Sequence, residues 1–465
     1  MARWFHSMVL IFIIQTTNLE TNKNTCQTHF SVLNWPQLTC TNVNSEYFQH
    51  FTSSLNRTHW IKCLNCTLNV IDERTFGFTR NNVSFLELQH CQVEAVKKFG
   101  FKIFFLLKLL NLRSNCINYL EPKCFSNLKR LLHLDLSVNY LNILTNNLFS
   151  DLVNLDILNL NKNEIFYIQP YAFSGLINLK YLYLSHNRLR KIEDRMFKDL
   201  QNLKILYLEH NDIFELHQHA FVNLKNLHYL YLNNNSINYL VQYNFKPLNN
   251  LVDLQLRLNN LSEIQVSSFN GLKNLKFLYL GQNQIHTIKP YGFIGLDSLI
   301  ILDLGYNNFT EIELNYFQIK NLHILWLHSN FIKNIIIVNN NNAEVQNALE
   351  VLDLSYNQLS EFNFKLLSSK MPNIKEIVLV NNSFSCDFFT NMYSYYEANN
   401  VLVCATQSCN SNSTEAYIDS LCFKTTTTDD TLTNVTDDFI SINCASNFKL
   451  YICFRIALFL ILFYC

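Results

Sequence analysis

The chain has 465 residues, with 36 Lys and Arg against 36 Asp and Glu, so no overall field draws it onto nucleic acid or an anionic membrane. Eight glycines leave little material for loops that cradle phosphates. Fourteen cysteines are many for a cytosolic protein, and they gather before Cys124 and after Cys386, a placement that suits an oxidising compartment.

In chain order, Arg3 precedes an apolar run from Met8 to Ile14, and polar residues Gln15 to Asn18 follow. Residues 1–20 read as a secretory signal peptide, because the run is far shorter than the roughly 20 residues that span a bilayer. Residues 21–58 hold Cys26 and Cys40 around Trp35-Pro36. A cap is expected there, since the first unit of a repeat array would otherwise expose its apolar end.

Residues 59–384 restate one pattern. A clear copy runs Leu179-Lys-Tyr-Leu182-Tyr-Leu184-Ser-His-Asn187-Arg-Leu189, then Ile192, Phe197 and Leu200. The asparagine slot is filled at a spacing of 24 residues from Asn115 through Asn139, Asn163, Asn187, Asn211, Asn235, Asn259 and Asn283 to Asn307. Asn330, Asn357 and Asn382 continue it at altered spacing. Before Asn115, the same slot holds Cys66 and Cys91, with Cys63 in a leucine position. The alternating L-x-x-L-x-L segment predicts a short strand with leucines inward. The asparagine amide can satisfy backbone groups of adjacent units. A phenylalanine ten residues after the slot, from Phe76 to Phe317, predicts a continuous aromatic spine. Between Phe331 and Ala348 the register lapses, and the run Asn339 to Asn342 reads as a polar loop.

Cys386, Cys404, Cys409 and Cys422 follow the last repeat, so residues 385–423 read as a C-terminal disulfide cap of undetermined pairing. On the N-terminal side Cys26, Cys40, Cys63, Cys66, Cys91, Cys116 and Cys124 make an odd set, in which Cys66 and Cys91 are expected as disulfide partners. Residues 424–444 are rich in Thr and Asp and read as a stalk. Residues 445–465 begin among the small residues Asn443-Cys444-Ala445-Ser446 and end in an apolar tail from Ile456 to Cys465. That order suits a glycosylphosphatidylinositol (GPI) attachment signal at Asn443 or Cys444. A short membrane helix from Leu450, with Arg455 inside it, is the competing reading. Sequons at Asn56, Asn65, Asn82, Asn234, Asn260, Asn308, Asn381, Asn412 and Asn434 are candidate glycan sites.

The strand positions that face outward between the leucines form the candidate binding surface. Tyr181, Tyr229 and Phe277 take the third position, and Tyr183, Tyr207, Tyr231, Tyr279 and Trp326 the fifth, interrupted by Gln255. Parallel strands lie roughly 4.8 Å apart, so Tyr183, Tyr207 and Tyr231 are expected to form a column suited to protein contact. High strand propensity alone would also favour aromatics there. His186 and His210 share a slot in adjacent units, but Lys162 and Asn234 beside them offer no third metal ligand. No nucleophile triad, phosphate loop or zinc-finger spacing is present, so neither an enzyme nor a cofactor is expected.

From Ile61 to about Cys422 the chain resembles the extracellular, 24-residue class of leucine-rich repeat proteins. The resemblance implies an α/β solenoid: a right-handed horseshoe of about fourteen units, a parallel β-sheet on its concave face and disulfide caps. With a lipid-anchor signal behind the array, it looks like the chaoptin and connectin adhesion proteins of insects, although Cys386-Asp-Phe388 replaces the usual Cys-x-Cys of the cap. That likeness implies a protein on the outer face of the plasma membrane that recognises an extracellular protein ligand or receptor, or a second copy of itself. A secreted matrix or innate-immune recognition protein is the alternative.

Overall fold

The computed structural model describes residues 25–30, 36–50, 55, 57–78, 81–317, 319–337 and 348–405. The signal segment, Asn56, the run Asn339 to Asn342, Cys409, Asn412, Cys422, Asn434, the Thr/Asp-rich stretch and the Asn443-Cys444 anchor site lie outside those residues. Among the described residues no helix is long and apolar enough to cross a membrane.

The chain winds as a leucine-rich repeat solenoid of about fifteen turns. One strand per turn enters a 17-stranded sheet. The strand Thr25–Phe30 opens it antiparallel to Pro36–Thr41, with Cys26 opposite Cys40 and disulfide-bonded to it. Every later neighbour is parallel, as where Tyr181–Tyr183 pairs with Ile205–Tyr207 and that strand with Tyr229–Tyr231. Each such strand buries its central leucine and leaves its flanking residues half-exposed. This follows from the period of two: the inward leucines close the core, and the residues between them form the concave surface. The opposite side is mostly turns with short two-residue ladders such as Lys191–Ile192 against Glu215–Leu216. Near the end lie two helices, Phe364–Lys370 and Cys386–Ala398.

The asparagines tie each turn to both neighbours. Asn211, buried, donates Nδ2 to the carbonyls of Leu208 in its own turn and Leu184 in the preceding one, each at 3.0 Å. Its Oδ1 accepts the backbone N–H of Leu189 at 3.1 Å. The same triplet recurs at Asn139, Asn163, Asn187, Asn235, Asn259, Asn283 and Asn307. A strand that must turn out of the sheet leaves these buried groups without ladder partners, and the asparagine amide is the compact side chain that can donate two hydrogen bonds and accept a third there.

A second ladder escaped the sequence reading. Asn154, Asn178, Asn202, Asn226, Asn250 and Asn274 each stand just before the first leucine of a strand. Each donates to a carbonyl one turn back, 25 residues earlier, at 2.8–2.9 Å. The phenylalanine spine stacks in two runs, with rings from Phe101 to Phe197 and from Phe221 to Phe317 at 5.8–6.4 Å.

The N-terminal cysteines depart from expectation. Cys63, Cys66 and Cys91 stand as buried thiols, not disulfides, and Cys116 and Cys124 are thiols as well. The asparagine slot explains it. Cys91 Sγ points at the Cys63 carbonyl at 3.9 Å and Cys66 Sγ at the Cys40 carbonyl at 3.8 Å, so the S–H groups stand in weakly for the amide donor. Burial pushes the Cys63 and Cys124 thiols up. At the other end Cys386 is disulfide-bonded, and the Cys404 thiol lies 3.7 Å from the Glu376 carboxylate. The six described sequons, Asn65, Asn82, Asn234, Asn260, Asn308 and Asn381, are all exposed.

Replacing Asn211 with Ala removes two donors and strands a buried backbone N–H. It should cost about 3 kcal/mol, since each unsatisfied buried group costs roughly 1–3 kcal/mol. Replacing the exposed Asn202 with Ala should cost under about 1 kcal/mol. Urea denaturation of both variants checks the contrast, and equal losses would contradict it.

Candidate functional site

The concave face carries two aromatic patches separated by a charged clamp. In the first, Tyr183 and Tyr207 stack with ring centroids 4.6 Å apart and planes 8° from parallel. Tyr207 and Tyr231 continue at 4.8 Å and 6°. The ring spacing equals the strand spacing because successive turns are in exact register. Tyr181 and Tyr229 flank the column in the adjacent slot, two strands apart with Ile205 between them. His186 and His210 stack at 4.2 Å next to the column, and His210 Nδ1 lies 2.6 Å from Asn234 Nδ2. Thus the sequon at Asn234 abuts the aromatic surface.

Burial keeps the tyrosine hydroxyls of this patch protonated. Burial, then Tyr207 and Tyr181 nearby, pushes the Tyr183 hydroxyl up to about 12. Burial, then Glu209, raises Tyr207, and burial, then Asp253, raises Tyr231. Burial also raises the Glu209 carboxyl. Asp253, beside Tyr229 in the sheet, is pushed up to about 6 by burial, although Gln255 Nε2 donates to it at 2.8 Å. Half-buried tyrosines that stay protonated give apolar area with hydroxyls free to hydrogen-bond.

Where Gln255 interrupts the column, the charged clamp begins. Asp303 is only 3% exposed, and its Oδ2 takes Arg257 Nε at 2.7 Å and Nη2 at 2.6 Å. Its Oδ1 accepts the Gly305 N–H at 2.9 Å. The guanidinium lies 4.7 Å from the Tyr279 ring centre, a cation–π contact. Gly281 makes room: a Cβ there would stand 2.7 Å from Asp303 Oδ2. The second patch lies beyond. Ile301, Ile324 and Val351 succeed one another in the third slot and are buried, with Phe277 and Trp326 packed against them. Of the residues predicted from sequence, Tyr181, Tyr183, Tyr207, Tyr229 and Tyr231 therefore share one patch. Phe277, Tyr279 and Trp326 belong to the other half of the face. The three aliphatic residues escaped notice. Their signal was an apolar residue in an outward slot of three consecutive turns.

The leucine-rich repeat family matches residues 81–141, 106–165, 153–213, 201–261 and 249–309, and again 348–369. Together the matches span more than half of the 465 residues, and the chain belongs to the leucine-rich repeat proteins. No curated protein matches the sequence. Among solved structures it is similar to TLR13 in the TLR13–ssRNA13 complex, at 25% identity and a TM-score of 0.59 over 77% of this chain. It spans 55% of that protein's chain, about half its length. It is also similar to the Leptospira interrogans LRR protein LIC12759, at 26% identity and a TM-score of 0.59 over 79% of this chain and 89% of that one. The LRIM1/APL1C complex shares the fold, at 20% identity and a TM-score of 0.55 over 81% of this chain and 74% of that one.

Asp253 gives this face a pH signature. With its folded value raised from 3.8 to about 6, the folded chain holds a proton that the unfolded chain has released. The contribution to stability is full below pH 3.8 and is lost as pH rises through about 6. Asp253→Asn removes that loss. The urea midpoint of the variant should rise relative to the parent between pH 4 and pH 7, and parallel curves would contradict the assignment.

Proposed function

We propose that this protein is a cell-surface recognition molecule that binds an extracellular protein partner through the tyrosine column of its concave face. The observation that carries the reading is the stack of Tyr183, Tyr207 and Tyr231 at 4.6–4.8 Å. Rings held this way are already ordered, so a partner gains their area with little further loss of side-chain freedom. Clustered tyrosines are the residue type on which interface energy concentrates.

The TLR13 structure, an RNA complex by name, suggests a second occupant, since stacked rings also hold unpaired bases. The Glu209 and Asp253 carboxyls beside the column oppose a phosphate backbone and favour a protein. Presentation outside the cell rests on the sequence: residues 1–20 as signal, glycans on the exposed sequons, residues 424–444 as stalk and a lipid anchor at Asn443 or Cys444. Adhesion in the manner of chaoptin and connectin is the finer form of this reading, with innate-immune recognition as its alternative.

Cells displaying the full chain should lose it to the medium on treatment with phosphatidylinositol-specific phospholipase C. Retention would replace the lipid anchor with a membrane helix, and release without enzyme would favour a secreted scaffold. For the face itself, a triple variant with Tyr183, Tyr207 and Tyr231 changed to Ala should bind the partner found in an extracellular-protein binding screen at least 10-fold more weakly, by the roughly 2 kcal/mol typical of one hot spot. Unaltered binding by the folded variant would remove the column from the interface.

A further inference from the structure

On the side away from the tyrosines, directly after the short ladder Lys191–Ile192 against Glu215–Leu216, three polar side chains from two successive turns converge. Asp194 Oδ1 lies 3.4 Å from His217 Nδ1 and 3.5 Å from His219 Nδ1, and the three donor atoms all fall within 4.8 Å of one another. We propose that Asp194, His217 and His219 form a binding site for a divalent transition-metal ion, zinc foremost, with solvent completing the coordination.

Two observations carry this. The first is spacing. A tetrahedral ion with bonds of about 2.0–2.1 Å holds its ligands about 3.3–3.4 Å apart, and the two Asp–His distances are close to that edge. They are longer than the roughly 2.7–3.2 Å of a direct hydrogen bond. An ion there displaces the long 3.3 Å contact that His217 Nδ1 accepts from the His219 backbone N–H. The second is preorganisation. The two loops are tied by backbone bonds, from His217 N–H to the Ile192 carbonyl at 2.9 Å and from Arg195 N–H to the His219 carbonyl at 3.3 Å. Arg195 Nε approaches only the other carboxylate oxygen, Oδ2, at 4.0 Å, and leaves Oδ1 to the ion.

From the sequence, His186 and His210 are the pair weighed as ligands, and no third ligand stands beside them. His186 and His210 stack face to face, whereas the usable signal was His217-Gln218-His219 one turn after Asp194. In the turns from Leu120 to Ile288, no other repeat places histidine in either of those slots, and none places aspartate in the slot of Asp194. Two imidazoles and a carboxylate suit zinc, nickel or copper better than calcium or magnesium, which prefer all-oxygen sites.

The test is calorimetric titration of the full chain, purified without an affinity tag, with zinc chloride. The parent should show one site that Asp194→Asn weakens at least 10-fold and that the double variant H217A/H219A abolishes. The double variant H186A/H210A should bind like the parent. Cobalt(II) in place of zinc separates this site from the buried thiols, since nitrogen and oxygen ligands give no sulfur-to-metal charge-transfer band. Parent-like binding by Asp194→Asn and H217A/H219A, or a cobalt spectrum dominated by thiolate bands, would overturn the proposal. So would no zinc binding by the parent.

Discussion

The structure depends on one exchange: each buried asparagine gives its two N–H groups to carbonyls of its own and the preceding turn, and takes one N–H from that preceding turn. Leucines alone would form an apolar interior but would leave the turn after each strand with unpaired backbone groups, at roughly 1–3 kcal/mol apiece. With the amide in place, a turn cannot leave the stack without breaking bonds in its neighbour. That coupling holds the strands in a common register, and register brings Tyr183, Tyr207 and Tyr231 within stacking distance.

Most of the architecture was legible because the slots recur. A period of 24 residues with leucine, asparagine and phenylalanine at fixed offsets admits one way of closing a core, and the strand positions of Tyr181 through Trp326 follow from it. The cysteines were less legible. Two cysteines in equivalent slots of adjacent turns suggest a bridge, yet the same slot calls for a donor to the preceding carbonyl. The thiols of Cys66 and Cys91 answer that need. A repeat pattern gives position along the coil but not which neighbour a polar side chain selects.

The concave face shows the same limit. Asp303 reads as an isolated aspartate in the sequence, because Arg257 lies 46 residues earlier. Only stacking brings the two within reach, and the pocket that admits the carboxylate is made by the missing side chain of Gly281. Beyond this clamp Ile301, Ile324 and Val351 make a second, drier surface under Phe277 and Trp326. Along the sheet, tyrosine hydroxyls kept protonated by burial give way to a fixed ion pair and then to an apolar shelf, so the face changes in polarity along its length.

Native-state hydrogen exchange tests the coupling most directly. The backbone amides of Ile165, Leu189, Ile213 and Ile237 donate to asparagines one turn further along. They should exchange together, at a free energy close to that of global unfolding and with the same urea dependence. Four separate, lower values, each insensitive to urea, would mean that the turns open one by one and that the asparagine ladder does not bind them into a single structure.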